Sequence, residues 1–303
     1  MCATKRHGIA IGAKNERGEM KKSPAFLILA HEDQPLLTLL VSRLLQFGDV
    51  YLHIDSKSPI PIDFMPATPK LHVYKQFDIR WGHWSMVEAT IFLADEAVKN
   101  GATYLSYLSG ITLPICSNDA FEEFLNAEEE CFEANKVILD NYPRYFRLRF
   151  TRRYIAPRSK RNLWGRLTRR ALRELFALTP KLDFKRLLGD VELCHGIGFW
   201  SVTSTTYLQA LEIARSRPSL WKYFRSTEIS DETFFATLFA HVSKGNHRSA
   251  RTFVEWVGSG TPAFINDSHL NDLSNQPEFV YARKFSSREP MILNRVKAIW
   301  GSK

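Results

Sequence analysis

The sequence predicts an α/β fold in which helices flank a mostly parallel central sheet. Patterns of buried strands alternate with patterns of amphipathic helices over residues 24–110, and this alternation is typical of a doubly wound sheet. The chain has 303 residues, of which 45% are hydrophobic, so it can bury a large core without disulfides or structural metals. Intrinsic disorder and a small disulfide-rich scaffold are therefore excluded.

The first strand is predicted at Ala25–Ala30, a short continuous apolar run of the kind that is buried on both faces of a parallel sheet. A helix over Pro35–Phe47 is indicated by leucine and valine residues at helical spacing, behind a proline at an allowed N-terminal position. Asp49–Asp55 and Leu71–Tyr74 are predicted as the second and third strands.

The next helix is predicted at Ser85–Lys99, because a serine cap followed by a glutamate opens an amphipathic stretch that ends at Asn100-Gly101. Tyr104–Leu108 is the fourth buried strand. A sheet of this kind binds ligands at the carboxyl ends of its strands, so we expect a functional site there.

The second half of the chain is predicted to begin with an acid-rich helix at Phe121–Glu133 and to contain a helix at Asn162–Leu178, with leucines on one side and arginines on the other. The remaining predicted elements are strands at Phe199–Thr203 and Thr252–Val257 and helices at Ser204–Ser216, Asp231–Val242 and Glu289–Trp300. No internal repeat or low-complexity linker interrupts the pattern. We expect one domain over residues 23–290, a terminal amphipathic helix over 291–303, and a leader over 1–22 that is disordered or upstream of a natural start at Met20.

The positive charge is concentrated in one segment. The formal net charge is +9, yet residues 144–186 contain 15 basic and two acidic residues, whereas the rest of the chain has 26 basic residues against 30 acidic ones. Three interpretations stay open for this basic segment: it binds a substrate, it attaches to an anionic membrane surface, or it is a solvated helix without a ligand. No recognised nucleic-acid-binding motif supports a nucleic-acid partner.

The four cysteines have neither a CxxC pair nor metal-like spacing to histidine, which favours reduced thiols. No apolar run has the length of a membrane span or a signal peptide. These observations predict a cytoplasmic protein, with peripheral contact to the inner face of a membrane as an option.

Several common catalytic motifs are absent. The sequence has no GxxxxGK[ST] loop, GxGxxG turn or GxSxG elbow, and Asp55 does not belong to a DxD triplet. Asp190 and Glu192 form an acidic pair of the kind that occurs by chance in a chain of this length. We predict no metal site, since a hard cation needs several converging oxygen ligands.

Polar residues directly after the buried strands are the first candidates for a ligand site. They are His31, Asp55-Ser56-Lys57 and Ser109-Gly110. The alternative is that they only cap helices or close turns. A second candidate is the stretch in which Trp81 and Trp84 flank Gly82-His83 before a helix, because aromatic rings and free N–H groups suit a sugar or base. Its alternative is a packed hydrophobic corner.

An ordered set of short motifs resembles the core-2/I-branching β-1,6-N-acetylglucosaminyltransferase family (glycosyltransferase family 14), which also contains peptide O-xylosyltransferases. The motifs are LAHED, HIDSK, RWGHWSMVEAT, YLSGITLPI, GFWSVT, SDETFF and ARKF. The resemblance implies a GT-A-type, Rossmann-like fold and inverting, metal-independent transfer of a sugar from a UDP-sugar to a glycan acceptor. The absence of an anchor and of disulfides predicts a compact bacterial-type member, with N-acetylglucosamine or xylose as the donor sugar and no cofactor.

The resemblance also implies roles for individual residues. It makes Glu232 the catalytic base, since inversion needs one carboxylate to take the proton of the attacking hydroxyl; the alternative is a charge that only stabilises the first turn of a helix. Arg251 and Lys284 are expected to hold the donor diphosphate, while Arg283 is expected to face the opposite way. Other donor contacts are expected at Leu29, His31, Asp55 and Trp81, and acceptor contacts at Ser109, Gly110, Arg149 and Trp200.

The resemblance further suggests a role in cell-surface polysaccharide or lipopolysaccharide synthesis, with a glycan or lipid-linked glycan as the acceptor. The competing hypothesis is a non-catalytic basic protein of the same fold that binds polyanions, glycans or nucleic acid.

Overall fold

The computed structural model describes residues 22–154, 171–172, 174–175, 177–257 and 261–301. The expected leader at residues 1–22, apart from Lys22, lies outside the described residues. Most of the predicted helix at Asn162–Leu178 also lies outside them.

The strands form one large sheet and several small ones. Numbered in chain order, they are β1 (Pro24–Ala30), β2 (Asp49–Ile54), β3 (Leu71–Tyr74), β4 (Tyr104–Ser109), β5 (Thr112–Pro114), β6 (Cys131–Phe132), β7 (Asn135–Lys136), β8 (Cys194–His195), β9 (Trp200–Thr203), β10 (Thr252–Val254), β11 (Trp256–Val257), β12 (Thr261–Pro262) and β13 (Tyr281–Arg283). Among the described residues the central sheet has the order β3-β2-β1-β4-β9-β6. Its first four strands run parallel, and β9 is antiparallel to both β4 and β6. The predicted α/β fold with a parallel-rich sheet is confirmed.

Helices cover both faces of this sheet. They are α1 (Gln34–Leu44), α2 (Trp84–Lys99), α3 (Asn118–Ala127), α4 (Arg144–Thr151), α5 (Phe184–Leu188), α6 (Ser204–Ser216), α7 (Pro218–Ser226), α8 (Ser230–Ser243), α9 (Asp267–Leu273) and α10 (Pro290–Trp300), with a 3-10 turn at Leu139–Asn141. Leu27 and Leu29 of β1 join the cluster under α2, α6, α7 and α8, while Phe26 and Ile28 join the cluster under α1, α3, α9 and α10. This two-sided burial explains the continuous apolar run of β1.

Two predicted elements are wrong in extent. The helix predicted at Phe121–Glu133 is α3, which begins after the Ser117 cap and ends where Glu128 adopts a left-handed conformation with φ 49°. The chain then enters β6 and pairs with β9, because burying Cys131 and Phe132 in the sheet outweighs the helix preference of the surrounding glutamates.

The strand predicted at Thr252–Val257 is divided between two sheets. β10 pairs in parallel with β13, and β11 pairs with β12 in a separate hairpin. β13 also pairs antiparallel with β5. This small sheet carries the end of β13 to the carboxyl edge of the central sheet, where the candidate site lies.

Candidate active site

A cleft of about 570 Å³ lies at the carboxyl ends of the central parallel strands. Its walls include the residues that end or follow three neighbouring strands, namely Leu29, Ala30 and His31 after β1, Asp55 and Lys57 after β2, and Ser109 and Gly110 after β4. Candidate residues from the ends of all three strands therefore lie together in one cleft, as predicted. Their binding of a donor or an acceptor stays a prediction.

Gly110 brings β4 close to β1 at the cleft edge. Its N–H donates to the Leu29 carbonyl oxygen at 2.9 Å, and a Cβ atom at this position would lie 2.7 Å from the Ala30 Cβ. Only glycine fits this approach without displacing β1. The residue therefore shapes the cleft through its small size.

We expect Gly110→Ala to lower the free energy of unfolding by about 1–3 kcal/mol, because overpacking forces the backbone of β1 to move. Thermal or urea unfolding measures the effect. Gly301→Ala is the matched control, since its added Cβ would meet only the Ala298 carbonyl oxygen at an ordinary 3.8 Å. Equal stability of the two variants would contradict this account of Gly110.

Asp55 is held in place by hydrogen bonds and presents one oxygen to the cleft. Its Oδ1 accepts from the Lys57 N–H at 3.1 Å, the Lys57 Nζ at 3.0 Å and the Ile79 N–H at 3.4 Å. The Lys57 Nζ also donates to the Ile79 carbonyl oxygen at 2.9 Å. Among the described residues, none donates to Oδ2 of Asp55, so this oxygen can accept a hydrogen bond from a ligand.

The two tryptophans before α2 have different environments. Trp81 lines the cleft with 45% of its surface exposed. Trp84 is buried and packs edge-on against Trp221 and Phe234, with ring centroids 5.0 and 5.2 Å away. Between them, the Nδ1 of His83 accepts from the Ser85 N–H, and burial lowers the pKa of His83. Trp81 is therefore the exposed ring of the two, while Trp84 forms the packed corner.

Glu232 lies in the first turn of α8 and lines the cleft beside Asp231. The helix begins at Ser230, directly after Ile229, whose φ of 56° is strained for a β-branched residue. The Ile229 N–H donates to the Gly82 carbonyl oxygen at 2.7 Å, which ties the start of α8 to the tryptophan stretch. Glu232 thus occupies both a helix N-terminus and a ligand cleft.

The pKa of Glu232 is raised to about 8. Burial is the main cause, the negative charge of Asp231 adds to it, Arg149 opposes it, and Glu133 and Glu228 raise it further. A carboxyl group with such a pKa takes up a proton far more readily at neutral pH than an ordinary glutamate. This property suits a general base.

A glycine turn before β9 holds two of these acids near each other. The Gly196 N–H donates to the Glu232 carbonyl oxygen at 2.9 Å, and the Ile197 N–H donates to Glu133 Oε2 at 3.1 Å. A Cβ on Gly196 would lie 2.1 Å from the Glu133 carbonyl oxygen, so the approach requires glycine. The sequence did not predict the contribution of Glu133 to the pKa of Glu232. Glu133 belongs to no motif, and its position is set by β6, which directly precedes it.

Arg283 and Lys284 both line the cleft, so the expectation that Arg283 faces the opposite way is wrong. Side chains alternate between the two faces only within a strand, and β13 ends at Arg283. Lys284 lies beyond the strand, so its side chain need not point away from that of Arg283. The Arg283 guanidinium lies 4.8 Å from the Phe199 ring centroid, and the Lys284 Nζ lies 4.7 Å from that of Phe264. Burial lowers the pKa of Arg283, while Tyr107, Glu232 and Asp231 counteract this.

Arg251 does not line the cleft. Its carbonyl oxygen accepts from the Val280 and Tyr281 N–H groups at 2.9 and 3.0 Å, and its guanidinium lies 6.0 Å from the Phe124 ring centroid. Thr252 pairs with Tyr281 and Val254 with Arg283 in parallel register. Arg251 therefore lies just before the start of the β10–β13 pair, whereas Arg283 lies at the end of that pair. The two residues are about 10 Å apart along the strand direction. The position of Arg251 does not support its expected diphosphate contact.

Two expected acceptor contacts also lie outside the cleft lining. Trp200 is 4% exposed and packs against Tyr107, Phe235 and Phe239 in the core, while its neighbour Phe199 lines the cleft. The ring is buried because Phe235 and Phe239 of α8 cover this face of β9. Burial of the ring contradicts the expected contact between Trp200 and the acceptor.

Arg149 lies behind the cleft, on α4. Its Nε is 4.0 Å from Glu228 Oε2, and its guanidinium is 4.6 Å from the Phe146 ring centroid. Its charge acts on the pKa of Glu232 although its side chain is not part of the cleft wall. The expected acceptor contact of Arg149 stays a prediction.

The sequence analysis also missed the β11–β12 hairpin as a wall of the cleft. Trp256, 48% exposed, and Pro262 both line it. A tryptophan next to glycine, serine and proline turn residues in EWVGSGTP is a recognisable hairpin signal. The cleft lining thus includes two exposed tryptophans, Trp81 and Trp256.

Within the described ranges, no group of three or more His, Cys, Asp or Glu side chains is arranged to hold a metal ion. Among the helices that the structure describes, none is long and apolar enough to cross a membrane.

A buried carboxyl group and two cations share a cleft at the carboxyl edge of an α/β sheet, which is the place where proteins of this fold class bind their ligands. Residues 24–276 match the family model of the Core-2/I-Branching enzyme. The chain belongs to this family and is a glycosyltransferase of the core-2/I-branching type, and its α/β fold is consistent with the GT-A-like fold of that family. None of the curated proteins compared with the chain matches it.

Proposed function

We propose that this protein is an inverting glycosyltransferase that moves a sugar from a UDP-sugar to a hydroxyl group of a glycan acceptor. N-acetylglucosamine and xylose are the donor sugars that the family resemblance favours. The observation that carries the proposal is that Glu232, with its raised pKa, shares one cleft with Arg283 and Lys284. A base and a pair of cations are what a single displacement with a diphosphate leaving group needs.

In the proposed reaction, the acceptor hydroxyl attacks the anomeric carbon of the donor sugar while Glu232 accepts its proton. The bond between the anomeric carbon and the diphosphate oxygen breaks, and UDP leaves with the bonding electron pair. Arg283 and Lys284 stabilise the negative charge that develops on this oxygen, through charge-assisted hydrogen bonds. These two residues replace the pair Arg251 and Lys284 that the resemblance implied.

The nucleoside end of the donor is proposed to lie against β1 and β2. Oδ2 of Asp55 can accept a hydrogen bond from a ribose hydroxyl or from the uracil N–H, and Trp81 can cover the base. His31 and the backbone of Leu29 lie on the same wall. We assign the part of the cleft that is lined by Ser109 and Trp256 to the sugars. A cytoplasmic site of action and a role in surface-polysaccharide synthesis stay predictions.

Incubation with a panel of UDP-sugars and glycan acceptors, with the anomeric configuration of the product read by NMR, tests the proposal directly. Product with the anomeric configuration opposite to that of the donor is expected. A retained configuration, or the absence of transfer together with the absence of thermal stabilisation by UDP, would contradict it.

We further propose that no metal ion takes part in the transfer. Arg283 and Lys284 supply the positive charge that a Lewis-acid metal would otherwise provide. The transfer rate in excess EDTA is expected to stay within about twofold of the untreated rate, in contrast to the loss that removal of a catalytic metal causes. A rate that falls with EDTA and returns with added Mn²⁺ would overturn this part of the proposal.

The raised pKa of Glu232 also has a consequence for stability. A glutamate with a pKa of about 4.5 in the unfolded chain and about 8 in the fold holds its proton more tightly when folded. The stabilisation this brings is complete below pH 4.5 and is lost as the pH rises through 8. At pH 9, Glu232→Gln is therefore expected to be more stable than the natural protein by roughly 1–3 kcal/mol.

Thermal unfolding of both proteins between pH 5 and pH 9 measures this difference. The gap between the two melting temperatures should widen as the pH rises, whereas the exposed Glu278→Gln should follow the natural protein throughout. A constant gap across this range would contradict the raised pKa.

A further inference from the structure

A second cavity, of about 1430 Å³, is larger than the active-site cleft and has no part in the proposed reaction. It is a groove between the amino-terminal half of α2, the segment at residues 179–187, and the helices α6 and α7. Ile91, Leu182 and Trp221 contribute apolar side chains to its lining. We call it the basic groove because of the charges that surround it.

Six basic side chains line the basic groove, against the two acids Glu88 and Asp183. They are Arg153, Lys181, Arg186, Arg215, Lys222 and Arg225. Three belong to the basic segment at residues 144–186, and three come from α6 and α7, which the sequence analysis did not connect with that segment. The fold therefore adds positive charge from a distant part of the chain to the same groove.

Most of these side chains form no ion pair with a carboxylate among the residues that the structure describes. Arg215 pairs with Asp95 at 2.7 Å, and Asp183 accepts from the Arg186 N–H at 3.1 Å as the cap of α5. Among the described residues, no carboxylate forms an ion pair with the side chain of Lys181, Arg186 or Lys222. Like charges collected around an apolar floor repel one another and favour an anionic ligand.

The groove and the cleft are neighbours. Met86 lines the cleft and Glu88 lines the groove, only two residues apart on α2. The ring of Trp221 in the groove packs 5.0 Å from that of Trp84 and 5.8 Å from that of Phe234, on the helix that carries Glu232. A ligand chain in the groove therefore lies close to the reaction site.

We propose that the basic groove binds an anionic oligosaccharide, namely a part of the acceptor glycan that carries carboxylate or phosphate groups and extends beyond the reacting sugar. This inference rests on the proposed glycosyltransferase function. Sugar rings pack on the aromatic and aliphatic floor, and the acidic groups pair with Arg186, Lys222 and their neighbours at the rim. The concave shape favours a chain over a membrane, because a flat bilayer surface cannot enter a groove.

Direct binding of labelled oligogalacturonate, compared with its uncharged methyl ester, tests the inference. At about 20 mM salt the acid is expected to bind at least about tenfold more tightly than the ester, and the difference should shrink at about 500 mM salt, where charges are screened. The double variant Arg186→Glu/Lys222→Glu is expected to bind the acid at least about tenfold more weakly.

The matched control is Lys70→Glu/Lys297→Glu, which changes the net charge equally at exposed positions outside the groove. It should bind the acid within about twofold of the natural protein. Equal binding of acid and ester, absence of binding, or equal loss in both double variants would overturn the inference. Stronger binding to phosphatidylglycerol vesicles or to a single-stranded oligonucleotide than to the oligosaccharide would also overturn it.

Thermal stabilisation by UDP separates this inference from the proposed function. The groove variant is expected to keep the full stabilisation by UDP, because the cleft is unchanged. A protein that binds oligogalacturonate in the groove without binding UDP would contradict the proposed reaction and leave the groove assignment standing. Stabilisation by UDP without binding of the acid would contradict the groove alone.

Discussion

Glu232→Gln is expected to lower kcat for sugar transfer by a factor of about 10²–10⁴, the contribution that a general base makes. Glutamine keeps the shape and the hydrogen-bonding capacity of the side chain but cannot accept the proton of the acceptor hydroxyl. The Kd for UDP should change by less than about threefold, because the diphosphate contacts are assigned to Arg283 and Lys284. Initial rates and isothermal titration with UDP measure the two quantities.

The pH dependence strengthens this test. With a pKa of about 8 for Glu232, kcat/KM of the natural protein should rise with pH and level off above pH 8, whereas the residual activity of Glu232→Gln should lack this rise. Asp231→Asn is the matched control, since Asp231 lines the same cleft one residue earlier. Rates that fall equally in both variants, or full activity in Glu232→Gln, would contradict the assignment of the base.

Arg283→Met is expected to weaken UDP binding by about 10- to 100-fold. A hydrogen bond to a charged group contributes about 1.5–3 kcal/mol, and each 1.4 kcal/mol corresponds to a factor of about ten in Kd. Methionine retains much of the aliphatic length of the side chain and its contact with Phe199 while removing the charge. Isothermal titration with UDP, and with uridine as a ligand without phosphates, should show a loss for UDP only.

Arg251→Met is the matched control, because it removes the same charge from a position outside the cleft. UDP binding should remain within about twofold of the natural value, and circular dichroism verifies that both variants fold. If Arg251→Met weakened UDP binding and Arg283→Met did not, the assignment of Arg283 to the diphosphate would be contradicted. Arg251 and Lys284, the pair that the family resemblance implies, would then be the expected diphosphate contacts.

Much of the fold could be predicted because its signals are local. A strand that is buried on both faces must be apolar at every position, and Ala25–Ala30 therefore identifies the central strand β1 without knowledge of its neighbours. The same logic located the strand ends, where His31, Asp55 and Gly110 meet in one cleft. Glu232 could be named as the expected base because its motif, SDETFF, resembles that of the core-2/I-branching family, and the structure places the residue in the lining of that cleft.

The wrong predictions concern residues whose positions depend on contacts with distant parts of the chain. Glu133 was placed in a helix, although β6 pairs with β9, some 70 residues later in the chain. Trp200 was expected at the acceptor, yet Phe235 and Phe239 of α8 cover its ring, and its neighbour Phe199 lines the cleft instead. No local pattern distinguishes these two aromatic neighbours.

The sequence by itself determined the alternation of strands and helices, the edge of the sheet where ligands bind, and the acid that serves as the proposed base. The first two follow from the spacing of residues within one element, whereas the acid follows from the resemblance of its motif, SDETFF, to the core-2/I-branching family. Only the tertiary structure decided which cations join that acid. The parallel pairing of β10 with β13 places Arg251 before the start of the strand pair and Arg283 at its end, and the packing of α6 and α7 against the basic segment forms the basic groove. Charges that are far apart in the chain meet only because the pairing and packing of whole elements bring them together.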